Sequence, residues 1–176
     1  MTDKMRLRAE LRAARRSAAG TIPAWPAFAA LLAPGLVVAS YVPVGGEADP
    51  AALERAALAA GSRLALPHVA DRATPLVFLA WDAGVALSDG PFGLRQPAAH
   101  HPPLAPDIVL TPLVGFDRRG NRLGQGAGHY DRAFAAFPAA RRIGIAFAVQ
   151  ETDQLKPDPW DVPLHAIATD REWLVP

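Results

Sequence analysis

The chain has 176 residues, 51% of them hydrophobic and 20% charged, with a net charge of +1. That length is expected to fold as one domain, 1–176, with a full core needing no metal or crosslink, and the absence of cysteine excludes disulfides, thiolate nucleophiles and Cys-ligated zinc. The most apolar run, 27–44, is cut by Pro34-Gly35 and Pro43 and is too short to span a bilayer; no signal-peptide order of segments is present, so a cytoplasmic protein without membrane contact is expected.

Residues 2–17 read as a helix with Thr2 or Asp3 as its cap. Six of the eighteen basic groups fall within the first sixteen residues, a local charge of +4 that leaves the remainder near −3. Leu7, Leu11, Ala14 and Ala18 form one narrow apolar stripe. Lys4, Arg8, Arg12 and Arg15 fall on an adjacent arc roughly 80° wide by helical geometry. The helix is therefore expected to dock by its leucines and to present a row of cations along the seam, although a merely solvated basic face fits the same pattern. Lys4 is one of only two lysines in a chain otherwise committed to arginine. One basic helix on a near-neutral body suits a small anionic ligand and argues against nucleic acid, which asks for wider basic surface with interleaved aromatics.

A buried strand is predicted at 36–42, followed by Gly45-Gly46 and an alanine-rich helix over 49–60. Further strands are predicted at 63–66, ending at Pro67, and at 76–81, 107–111 and 143–148. A helix is predicted at 130–137, starting inside a glycine-rich motif. Strands alternating with helices predict an α/β protein, a single three-layer α/β/α domain with a largely parallel central sheet. In such sheets ligands bind beyond the carboxyl ends of the strands, and the glycine motif follows the strand at 107–111.

That motif is "NRLGQGAGHYDR", 121–132. Closely spaced glycines let backbone N–H groups approach a ligand, and a following helix N-terminus favours phosphate. Arg122 supplies a fixed charge suited to bidentate phosphate contact, and Asp131 suits a hard cation such as Mg²⁺. The spacing is G-x-G-x-G, so neither a Walker loop nor a dinucleotide fingerprint is present. Taken alone, it also fits a glycine-rich turn with no function.

The longer string "PDIVLTPLVGFDRRGNRLGQGAGHYDR" closely resembles the signature of the 5-formyltetrahydrofolate cyclo-ligase family. The Lys4-x-x-x-Arg8 helix resembles that family's opening ATP-contacting helix. "SYVPVGGEADPAAL" resembles its Y-x-P-x-x-x-E segment, "GPFGLRQP" its G-x-F/Y-G-I-x-E-P turn, and "IGIAFAVQ" with "WDVPLHAIATD" its closing segment. The order and spacing hold over essentially the whole chain. The resemblance implies ATP-dependent cyclisation of a reduced folate with ATP as co-substrate, Mg²⁺ as cofactor, and a monomer in preference to a stable oligomer. ATP would lie against Lys4, Arg8, Arg122 and the backbone of Gly124, Gln125, Gly126, Ala127, Gly128, His129 and Tyr130, with Lys4 and Arg122 as the catalytic cations. Mg²⁺ would be held by Asp131 and Asp161. The folate would meet Glu47, with Tyr41, Phe92 and Tyr130 framing its pterin.

Three positions depart from the family pattern: Ala127 where Gly or Lys is usual, His129 for Tyr or Phe, and Gln96 for Glu. They motivate an alternative, a folate- or nucleotide-binding module without turnover. His129 reads as filling the aromatic slot or as a hydrogen-bond donor to ligand. His100-His101 reads as a loop because adjacent side chains diverge. Trp25, Trp81, Trp160 and Trp173 read as core or rim packing.

Overall fold

The structure is a computed structural model describing residues 3–71 and 74–176; Thr2, the alternative helix cap, lies outside the described residues, as does the side chain of Phe92. The elements in chain order are helix α1 (Asp3–Arg16), the one-turn helix α2 (Pro26–Ala29), strand β1 (Val37–Ala39), helix α3 (Ala51–Ala59) and strands β2 (Arg63–His68) and β3 (Val77–Ala80). There follow the short strands β4 (Ser88–Asp89) and β5 (Arg95–Gln96), then β6 (Ile108–Pro112), β7 (Gly115–Phe116), β8 (Arg122–Leu123), helix α4 (His129–Ala136), β9 (Arg141–Ile145), β10 (Ala166–Ala168) and β11 (Trp173–Leu174).

Among the described residues, seven strands form one sheet in the order β11-β10-β9-β6-β1-β2-β3. The five inner strands run parallel to one another, and β3 and β11 close the two edges antiparallel. The inner strands are buried on both faces, which is why their sequences read as continuous apolar runs rather than alternating ones. Alternate residues divide between two cores. Val37, Ala39, Val109 and Ile167 face α4 through Ala133 and Phe134; Val38, Ile108, Leu110 and Ile143 face α2 and α3 through Phe28, Leu53 and Ala57. The architecture is the expected α/β/α layering. Helix α1 packs apart from both layers, its Leu7 and Leu11 against Val114, Leu123 and Leu155. A Cβ at Gly115 would collide with Leu11, so glycine there lets α1 close onto the start of β7.

Several boundaries differ from the sequence expectation; β1, for one, ends at Ala39 and not at 42. Strand β2 runs through Pro67 to His68, because β1 pairs only with residues 63–65 and the missing Pro67 N–H faces no ladder. Strand β9 starts at Arg141 and ends at Ile145, two to three residues earlier than the apolar run suggests. Its register with β6 extends back to Ile108↔Arg141, while Gln150 Oε1 and Asp170 Oδ1 take the N–H groups of Phe147 and Ala148 and turn the chain out of the sheet.

Candidate active site

Strand β6 ends at Thr111-Pro112, and beyond that carboxyl end opens a cleft of ≈ 230 Å³. Its walls include Lys4 and Arg8 from α1, Arg122 from β8, the whole loop 124–128, His129, Tyr130 and Asp131 from the first turn of α4, and Asp161 from the C-terminal segment. Every residue expected to meet nucleotide or metal is thus brought to one cavity. Gly128 adopts a left-handed φ of 67° as the residue before α4, and Gly126 a φ of 107°, conformations that side chains resist. Gly124 differs: a Cβ there would meet nothing within 4 Å. Its glycine answers no demand of the protein's own packing, and the space it leaves belongs to the cleft.

The cations of α1 reach the loop one after another. Lys4 Nζ pairs with Asp158 Oδ2 at 2.5 Å, Arg8 Nε donates to the Gly124 carbonyl at 2.9 Å, and Arg12 Nη2 donates to Gln125 Oε1. Arg15 does not join them. It is 3% exposed and donates to the carbonyls of Gly45 (2.6 Å) and Leu113 (3.4 Å), tying the turn after β1 to the segment just past β6 rather than facing the cleft. The expected cation row therefore ends at Arg12.

Arg122 is 6% exposed in its side chain. One of its Nη groups donates to Asp131 Oδ1 and the other to the Val162 carbonyl, and its plane lies over Phe134 at 4.7 Å. Burial pushes its guanidinium down from the usual value, while Asp131 and Asp161 hold it up. Asp161 Oδ2 accepts the N–H of Asp158 at 2.8 Å. No group of three or more His, Asp or Glu side chains with metal-site geometry is found among the described residues. Asp131 and Asp161, two hard carboxylates at one cleft, fit a Mg²⁺ ion that draws its remaining ligands from phosphate and water.

Glu47 lies outside the cleft wall but is tied to it: Gln125 Nε2 donates to Glu47 Oε1 at 3.2 Å, and the Val44 N–H donates to Oε2 at 3.2 Å. Burial raises its carboxyl, partly offset by those two donors. Tyr41 does not line the cleft. It is buried, and its hydroxyl donates to the Ala48 carbonyl, so it shapes the loop that carries Glu47. Tyr41 and Tyr130 both sense the Glu47 charge and both phenols are pushed up, chiefly by burial. Phe92 sits in the 3-10 turn at 91–93. His129 Nδ1 lies 3.0 Å from Arg132 Nη2, and burial together with that cation lowers the imidazole. The sequence reading missed three residues here. Asp158 takes up Lys4, Trp160 stands 70% exposed on the cleft wall, and Thr111 carries a buried hydroxyl with no partner among the described residues. Only Thr111, last in the predicted strand before a proline, had a position from which a site role followed.

A sequence model of the 5-formyltetrahydrofolate cyclo-ligase family matches residues 1–170. A 5-formyltetrahydrofolate cyclo-ligase of Mycolicibacterium smegmatis is 32% identical over 175 residues, covering 93% of this chain and 87% of the relative. One from Escherichia coli K12 is 32% identical over 139 residues, covering 75% and 76%. Among solved structures, a 5,10-methenyltetrahydrofolate synthetase from Mycoplasma pneumoniae superposes with a TM-score of 0.74 at 25% identity, covering 96% of this chain and 99% of that one. The Aquifex aeolicus 5,10-methenyltetrahydrofolate synthetase superposes with a TM-score of 0.68 at 26% identity, covering 99% and 84%.

Proposed function

Because the chain belongs to the 5-formyltetrahydrofolate cyclo-ligase family, a family of ligases, we propose that it converts 5-formyltetrahydrofolate to 5,10-methenyltetrahydrofolate at the expense of ATP, with Mg²⁺, releasing ADP and phosphate. The observation that carries this reading is the convergence of the α1 cations, the glycine loop and the two carboxylates on one cleft.

The formyl oxygen on N5 is an amide oxygen and leaves poorly at neutral pH. Phosphorylation of that oxygen by the γ-phosphoryl of ATP makes it part of a phosphate ester. N10 then attacks the formyl carbon and loses its proton, the C–O bond breaks, and phosphate leaves as the five-membered ring closes. The protein needs no nucleophile of its own for this sequence, in keeping with a chain that has no cysteine. Its task is alignment and charge neutralisation.

Arg8 is anchored through Nε to Gly124 O, which aims its two Nη groups at ligand beside the loop. Lys4 would move from Asp158 to phosphate, a small exchange for an ammonium already 38% exposed. Arg122, held by Val162 O and Phe134, positions Asp131 and offsets negative charge at the far wall. Mg²⁺, held by Asp131 and Asp161, would supply neutralisation of phosphate charge. The first-turn N–H groups of α4 and the loop backbone would take phosphate oxygens. Glu47, Tyr130 and Phe92 would meet the folate, with Tyr41 setting the Glu47 loop from behind.

Purified protein given 5-formyltetrahydrofolate, ATP and Mg²⁺ is expected to produce the near-ultraviolet absorbance of the methenyl product with equimolar ADP. Omission of ATP or chelation of Mg²⁺ is expected to abolish it, and Arg122→Ala and Asp131→Ala to fail to turn over. No product from authentic substrates, or binding without ADP release, overturns the reading; full activity in either variant overturns the site.

A further inference from the structure

Thr111, next to last in β6, lines the cleft, is 1% exposed, and carries an Oγ1 with no hydrogen-bond partner among the described residues. Side chains along a strand alternate between its two faces, so Thr111 points the same way as Val109, towards α4, whose first turn forms another part of the cleft wall. Valine has the same shape and would fill the same space. An unpaired buried hydroxyl costs stability that valine does not. A hydroxyl in that place calls for a partner from outside the chain, and the cleft is the space it opens on. We propose that Thr111 Oγ1 donates a hydrogen bond to an oxygen of the γ-phosphoryl group as that group passes to the formyl oxygen. The inference deepens the cyclo-ligase reading and rests on it.

Two features of the fold select a phosphoryl oxygen, and the γ-phosphoryl in particular. Thr111 shares the cleft with Lys4, Arg8, Arg122 and the glycine loop, the groups directed at phosphate, whereas Glu47 lies outside the cleft wall. The last β1–β6 pair is Ala39↔Val109; beyond it β1 has ended and its chain leads on to Tyr41 and Glu47. Thr111 stands two residues past that pair. Strand order reverses between β1 and β6, and the crevice at such a reversal is where open α/β sheets take their ligands. The phosphate that meets Thr111 is therefore the one nearest the folate segment, and the transfer requires that one to be γ. A hydroxyl donating to a charged phosphoryl oxygen makes a charge-assisted bond. The β-branched side chain is stiff, so the strand itself fixes where the hydroxyl points before any ligand arrives.

Thr111→Val removes the hydroxyl and keeps the shape. Without ligand the variant is expected to unfold at or above the wild-type denaturant midpoint, because an orphaned hydroxyl has gone; a lower midpoint shows a partner within the chain and overturns the proposal. Calorimetry compares ADP with the imidodiphosphate analogue of ATP, which carries a γ-phosphoryl that cannot be transferred. ADP is expected to bind the variant as it binds wild type, and the analogue to bind at least about fivefold more weakly. Equal weakening of the two, or none, overturns the γ contact. In turnover, kcat is expected to fall about tenfold or more with KM for 5-formyltetrahydrofolate unchanged, and Thr111→Ser to recover most of that loss. A raised KM with kcat intact places the hydroxyl on the folate and overturns the assignment, as does a serine variant no better than valine. Wild-type protein that binds both nucleotides yet forms no methenyl product overturns the cyclo-ligase reading and leaves the Thr111 contact standing on the calorimetry. Wild-type protein that binds neither nucleotide overturns both.

Discussion

His129 stands where the family resemblance leads one to expect an aromatic ring, and its surroundings explain what an imidazole does there. Arg132 donates to Nδ1, so the proton sits on Nε2 and the ring is neutral at pH 7. A neutral ring adds no cation to the proposed phosphate site, and it retains an N–H donor. Because burial and Arg132 lower its value in the folded state, stability contributed by the neutral ring is present above the unfolded value of 6.5 and is lost as pH falls from there through the lower folded-state value. The NMR titration of His129 is expected to have its midpoint below 6.5, and Arg132→Ala to move it upwards; a midpoint at or above 6.5 in the wild type contradicts the geometry. Gln96 resolves differently. Its Oε1 accepts the Val69 N–H at 3.0 Å and its Nε2 donates to the Val69 carbonyl at 3.2 Å, a pair of bonds that a carboxylate cannot make. The amide belongs to the β5 region's own packing, and the departure says nothing against turnover. Neither answer was legible in the sequence, because each depends on a neighbour whose approach only the fold sets.

Strand β6, the glycine loop and α4 form one unit, and the three glycines of the loop are not equivalent. Gly128→Ala puts a side chain into a left-handed conformation before α4 and is expected to cost about 1 kcal/mol of stability. Gly124→Ala meets open space and is expected to unfold at the wild-type denaturant midpoint while losing nucleotide affinity. Chemical denaturation with nucleotide titration checks both; a stability loss at Gly124, or intact nucleotide binding there, contradicts the distinction. Much at this level was readable in advance. The apolar runs of β1, β2, β6 and β9 and the apolar stripe of α1 announce themselves, since an inner parallel strand is apolar on both faces and a docking helix is striped. The pairs β4–β5 and β7–β8 were not, because two residues per strand carry no period. Strand β11 was missed for the same reason, and β10, three residues between His165 and Thr169, because so short an apolar stretch shows no period. Arg15 was misplaced because helical geometry fixes its direction and not what lies opposite: the carbonyls of Leu113, just past β6, and of Gly45, in the turn after β1, which turn a surface cation into a buried brace.

The cleft draws its parts from both ends of the chain, with Lys4 and Asp158 meeting across 154 positions of sequence. The resemblance to the cyclo-ligase signature was enough to place Lys4, Arg8, Arg122 and Asp131 together, whereas Asp158 lay in no motif and its pairing with Lys4 emerged only from the fold. That ion pair is 38% and 41% exposed, so it adds little to stability. Lys4→Ala is expected to shift the unfolding free energy by less than about 1 kcal/mol, while depressing turnover by more than about tenfold through loss of a phosphate contact. A variant that is badly unstable, or one as active as wild type, contradicts that division of labour. In the proposed mechanism the chemistry rests on a single transfer, from ATP to the formyl oxygen. Turnover of 5-formyltetrahydrofolate carrying a heavy oxygen isotope in its formyl group, followed by mass spectrometry of the released phosphate, isolates that transfer. The label is expected in inorganic phosphate, one atom per methenyl product; label appearing in water or formate, with unlabelled phosphate, would contradict it.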